Sequence, residues 1–172
     1  MSGRKPEITE EEFAGHFCWT VGMEIQNNWA SILEDINKLM GGDDNNVYVH
    51  GLDMLHIVLP FTAIEIQELP NLLEKGQADR IREYILESIS EGGYHPTNAR
   101  ERMEAYQKVW DDSLNNDEPP HIAVANEFLK ALDHNHTGTL DPIVADGVGQ
   151  ILVGLHPGLL KEMIGNYRKI VP

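Results

Sequence analysis

Oxygen-bearing side chains recur at alternate positions in one stretch of the chain, Asp133-His134-Asn135-His136-Thr137-Gly138-Thr139-Leu140-Asp141. A hard cation such as Ca²⁺ takes about six to eight oxygens at about 2.3–2.6 Å, and one short loop supplies them only if alternate residues point inward and the backbone turns sharply midway. Asp133, Asn135 and Thr137 alternate in that way. Gly138 permits the turn, Thr139 offers a backbone carbonyl, and Asp141 acts directly or through water. Leu140 falls where it would point back into a core. Asp133, Asn135, Thr137, Thr139 and Asp141 are therefore the candidate metal ligands, and Ca²⁺ is the cofactor their chemistry would suit.

Such a loop needs a helix on each side. Before it, Ala125, Phe128, Leu129 and Leu132 sit at helical spacing; after it, Val148, Ile151 and Leu152 line a second helix opened by Pro142. The helix-loop-helix over residues 122–155 resembles an EF-hand, and the resemblance implies a calcium ion held by the five residues above. It covers roughly one fifth of the chain. At the loop's last position, where that family places a bidentate Glu, this chain has Val144. Two oxygens and one charge are lost with it, which lowers the affinity expected by orders of magnitude. Asp146, two residues on, substitutes only if the exiting helix is offset. EF-hands usually pair, yet 42–53, with Asp44, Asn46, Val49 and Asp53 at tolerable spacing, lacks the mid-loop glycine and an initial carboxylate and reads as coincidence. The bland alternative is a helix-to-helix turn rich in residues that cap helices and tolerate unusual backbone angles, binding no metal.

Eight histidines invite a search for transition-metal ligands. His134 and His136 flank Asn135, His16 follows Glu12 by four, and His56 follows Asp53 by three. No His-Glu-x-x-His and no repeated Glu-x-x-His occurs. A metal enzyme built on His16, Asp53 and His56 is a distant reading; a hydrogen-bonded Asp53–His56 pair is the plainer one, since both interrupt an apolar segment. The chain has no phosphate-binding glycine loop and no Gly-x-Ser-x-Gly elbow, and Gly147-Val148-Gly149 is too short to count. Cys18, the single cysteine, precludes an internal disulfide and reads as a small buried hydrophobe rather than a nucleophile.

Acids outnumber bases 28 to 13, a formal charge of −15. The imbalance is uneven: residues 1–120 hold 23 acids and 9 bases, residues 121–172 hold 5 and 4. Such a field argues against nucleic acid or an anionic membrane as partner and suits a basic protein. Residues 1–12 lack the apolar run of a secretory signal, and no run reaches the roughly 18 apolar residues of a spanning helix. Cytoplasmic residence is the resulting expectation.

Thr9 with Glu12 reads as a capping box opening a helix of about 30 residues. Phe13, Phe17, Val21, Ile25, Trp29, Leu33 and Ile36 form its stripe, and Gly15 or Gly22 is expected to bend or divide it. Trp19 and Met23 widen the apolar face toward a central helix or a docking surface, while Trp19, Trp29 and Trp110 are read as core. Residues 52–69 are apolar on nearly every side, a buried helix kinked or ended at Pro60, with a strand over 61–66 as the competing reading. Helices are expected over Ile81 to Ile89, from the Asn98/Glu101 capping box to about Leu114, and around Leu159 to Tyr167, with 111–120 as the best linker. The expectation is an all-α, compact bundle of about six or seven helices with one EF-hand-like turn. It is one domain over 1–172, with an acidic helical region 1–114 and a C-terminal region 121–172 that packs on it. The leading function is a non-catalytic protein-binding or regulatory module with a protein partner, basic or a second copy; a calcium-binding protein comes next.

Overall fold

The computed structural model describes residues 5–41, 52–91, 96–132 and 141–172. Helix α1, Glu10–Leu39, opens on the capping box: the Thr9 hydroxyl accepts from the Glu12 N–H at 3.2 Å, and the Glu12 carboxylate accepts from the Thr9 N–H at 3.0 Å. The helix runs unbroken through Gly15 and Gly22, so the expected division is corrected. A helical glycine costs about 1 kcal/mol. Burying Phe13, Phe17, Val21, Ile25, Ile32 and Ile36 returns about 1.5–3 kcal/mol for each large side chain, which outweighs both glycines. Gly41, at φ 101°, follows the helix end.

Helix α2, Met54–Glu65, keeps Pro60 inside it. Pro60 has no N–H for the His56 carbonyl, but Ile57, Leu59, Phe61 and Ala63 are buried around the turn, and that burial holds the helix together. Residues 61–65 are helical and Ile66–Glu68 form a 3₁₀ turn, so the strand alternative falls. A short helix α3, Leu69–Leu72, takes in Pro70 in its first turn. Helix α4, Lys75–Glu91, follows and buries Ile81, Ile85 and Ile89. Helix α5, Pro96–Asn115, starts two residues before Asn98, which is therefore inside the helix instead of capping it. It also consumes half of the expected linker.

Helices α6, Pro120–Leu132, and α7, Pro142–Gly154, occupy the places expected on either side of the loop. A short helix α8, Leu159–Gly165, ends the helical part. Among the described residues this makes an all-α bundle of six helices of twelve residues or more with two short ones. Helices α1, α4, α5, α6 and α7 pack each on the next, and α7 returns to α1. The near-uniformly apolar α2 lies inside this ring, touching α1, α5, α6 and α7. Buried residues of the acidic and C-terminal regions form one cluster.

One feature has no counterpart in the expected elements. Strands β1, Glu7–Thr9, and β2, Lys169–Val171, pair in parallel with Ile8 opposite Ile170. The Arg168 N–H donates to the Pro6 carbonyl at 2.9 Å, and the Arg168 guanidinium pairs with Glu7. Pro142–Gly165 is, by length and composition, apolar enough to cross a membrane, contrary to the expectation that no run qualifies. It is folded as α7 and α8, broken at Pro157-Gly158 where Gly158 takes φ 78°, and it buries Val148, Leu152, Leu160 and Met163.

Candidate functional site

Of the five expected metal ligands, Asp133, Asn135, Thr137 and Thr139 lie outside the described residues, as do His134 and His136. Asp141 is the N-cap of α7, its carboxylate accepting from the Ile143 N–H at 2.9 Å ahead of Pro142 at the first helical position. Asp146 lies 3.5 Å from His121 Nε2. His121 lies in the first turn of α6, so this carboxylate faces the N-terminal end of that helix. The two helices approach closely there: a Cβ on Gly149 would meet the His121 carbonyl oxygen at 2.9 Å, and one on Gly147 the Leu39 side chain at 2.6 Å. The Gly-Val-Gly triplet thus marks where α7 passes α1 and α6.

The structure does not gather His16, Asp53 and His56 into one centre. Asp53 caps α2 by accepting from the His56 N–H at 3.1 Å, while His56 Nδ1 accepts from the Asp53 N–H at 3.2 Å. His16 Nδ1 shares a 2.6 Å hydrogen bond with the Tyr167 hydroxyl. Among the described residues no group of three or more His, Cys, Asp or Glu side chains is placed to hold a metal ion. Cys18 is half-buried, with its thiol against the Ile85 carbonyl, and burial pushes its pKa up to about 12. The thiol stays protonated, which suits the reading of an inert hydrophobe.

Two polar clusters were not visible in the sequence. In the first, Glu10, 2% exposed, takes Arg80 Nε at 2.7 Å and Nη2 at 2.8 Å. The Gln77 amide donates both to Glu10 at 3.3 Å and to the Ile170 carbonyl at 2.9 Å. The Arg80 hydrogen bonds hold the Glu10 carboxyl below its usual pKa against the opposing effect of burial. These groups line a cleft of about 510 Å³ together with Tyr167, Arg168 and Lys169. The Glu10 and Arg80 charges neutralise each other, and with Gln77 they tie α1, α4 and β2 together.

In the second cluster, the buried Glu65 carboxylate reaches the start of α8 and accepts from the Leu160 N–H at 2.9 Å. Burial raises its pKa despite that bond and one from the Gly158 N–H. Beside it His156 lies 3.1 Å from Glu162 and 3.5 Å from Glu24. These carboxylates, Glu162 foremost, raise the pKa of the imidazole.

The surface offers a different feature. Trp29 and Trp110 are half-buried against the core as expected, but Trp19 is 63% exposed, so its reading as core is corrected. Trp19 lies two residues from both Phe17 and Val21, which turns it to the opposite side of the helix from that buried stripe. Its ring stacks beside His16, centroids 6.1 Å apart at 30°. His16 is fixed by Tyr167, and Tyr167 rests edge-on against Phe13 of the core at 6.0 Å. A large aromatic is thus displayed to solvent on a buttressed platform, with Glu11 and Glu12 exposed on the same helix.

Fold and surface together define an acidic all-α bundle with an outward tryptophan. No protein-family model, no curated protein and no solved structure matches the chain.

Proposed function

We propose that the protein is a non-catalytic protein-binding or regulatory module, resident in the cytoplasm, that docks a basic partner on the face around Trp19. The observation that carries this reading is the 63% exposure of Trp19 together with its support by His16 and Tyr167. Tryptophan and tyrosine dominate binding hot spots because they present large, rigid contact area. An indole on a surface of net negative charge also suits a Lys or Arg side chain, by cation–π attraction at its face and by steering from the surrounding acids. The test is photocrosslinking in cells from an unnatural side chain at the exposed Gly15, one turn before Trp19 on the same helix face, with the exposed Glu101 of α5 as control position. A discrete adduct with one basic protein, formed from 15 and not from 101, supports the reading. The same products from both positions, or turnover of a small substrate by the pure protein, would remove it.

A calcium-binding protein is the second reading. It is favoured by the presence of a helix on each side of residues 133–140, α6 and α7, and by Asp141 capping the second of them. Calorimetric titration decides it: heat at micromolar Ca²⁺, lost in Asp133→Ala, supports the reading, and no heat up to millimolar Ca²⁺ ends it.

A further inference from the structure

Three helices of the bundle fail to close fully on one another. Between α1, α2 and α4 lies a pocket of about 220 Å³ whose walls include Cys18, Gly22, Val58, Thr62, Ser88 and Ile89. Three observations set it apart from an ordinary packing defect.

The first is the bare backbone at Gly22. A Cβ built there meets nothing within 4 Å among the described residues, so none of their side chains or backbone requires a glycine at this place, and a helical glycine is less stable than alanine. What the missing side chain leaves open is the pocket wall. The second is Thr62. It is 1% exposed, and its hydroxyl has no hydrogen-bond partner among the described residues, an uncompensated burial that ordinary interiors avoid. Thr62 is one of the residues that line the pocket, and a helical threonine has two accessible χ1 wells, one of which a ligand can select. The third is the character of the lining, which among the described residues carries aliphatic side chains, two hydroxyls and the protonated thiol, but no charged group.

We propose that this pocket is a binding site for a small neutral molecule, largely hydrocarbon, with one hydroxyl or carbonyl group that pairs with Thr62. Sites of this kind, apolar with few polar groups, occur between the helices of bundles. The size follows from the volume. A cavity of about 150 Å³ lined by aliphatic residues accepts benzene, so about 220 Å³ accommodates a monocyclic phenol or a short alcohol. With no charge among the described lining residues, the pocket selects against carboxylates and amines, whose desolvation those residues would not offset. Chemically, this ligand is unlike the basic protein proposed for the Trp19 face.

The test uses the whole chain with p-cresol and toluene as probes, two molecules of similar shape of which only one carries a hydroxyl. Calorimetry and methyl NMR are expected to show saturable binding of p-cresol with Kd below about 1 mM, with shifts concentrated at the methyls of Val58, Thr62 and Ile89. Gly22→Leu fills the space and abolishes binding while the protein stays folded. Thr62→Val, close in shape, leaves toluene binding intact and weakens p-cresol about tenfold, the loss of one hydrogen bond. Thr62→Val keeps the test sharp even if the Gly22→Leu protein is unstable. No saturable binding, shifts elsewhere in the protein, or equal p-cresol affinity in Thr62→Val would each overturn the proposal.

Discussion

Replacing Arg80 by alanine strands the Glu10 carboxylate, which is 2% exposed and would keep only the Gln77 amide at 3.3 Å among its side-chain donors. Two charge-assisted bonds of 2.7 and 2.8 Å are lost. Removing one partner of a fully buried ion pair costs about 3–5 kcal/mol. Arg80 is half-exposed, so water enters the vacated place and the loss falls to about 2–3 kcal/mol. For a chain of this length each kcal/mol moves Tm by about 2–4 °C, which gives a drop of roughly 4–12 °C in calorimetry at pH 7. The sign of the pH dependence is fixed by Glu10. Its folded pKa lies below the ordinary 4.5, so its stabilisation is present above that value and disappears as pH falls through the depressed one. Wild type and Arg80→Ala should therefore converge in acid, and Glu10→Gln should recover part of the loss in the Arg80→Ala background. A fall of less than about 1 °C, or a gap that does not change with pH, would refute the reasoning.

Other perturbations probe the packing. Gly149→Ala should destabilise by about 1–3 kcal/mol in urea unfolding, because its Cβ meets the His121 backbone, whereas Gly22→Ala, with open space, should stabilise by about 0.5–1 kcal/mol. Tyr106→Phe should raise stability by about 1 kcal/mol, since the Tyr106 hydroxyl is buried without a partner among the described residues. His156→Gln should be less stable than wild type below pH 6.5. The folded pKa of His156 is raised, so its contribution is complete below the ordinary value and is lost as pH rises through the folded one. The two melting curves are expected to merge at alkaline pH and in high salt.

Helix existence was legible because it rests on local pattern. Phe13, Phe17, Val21, Ile25 and Ile36 recur at helical spacing, and each is buried; Thr9 and Glu12 close the capping box their spacing promised. Helix continuity was not legible. Gly22 and Pro60 are locally unfavourable in helices, and only the burial of stripes against other helices overrides them. The polar ties were equally out of reach, since Glu10 and Arg80 stand 70 positions apart and the pairing of β1 with β2 joins residues near opposite ends of the described chain. Trp19 is different. Its offset of two residues from Phe17 and Val21 was in the sequence, and helical geometry alone would have turned it outward.

The central claim, a partner docked on Trp19, is tested most directly by the affinity of the crosslinked partner, once purified, for wild type and for Trp19→Ala. Trp19 is exposed, so the variant should fold with stability within about 0.5 kcal/mol of wild type. A hot spot of 2 kcal/mol or more corresponds to a loss of about 30-fold in Kd, and that loss is the predicted result. Equal affinity for both proteins would contradict the account.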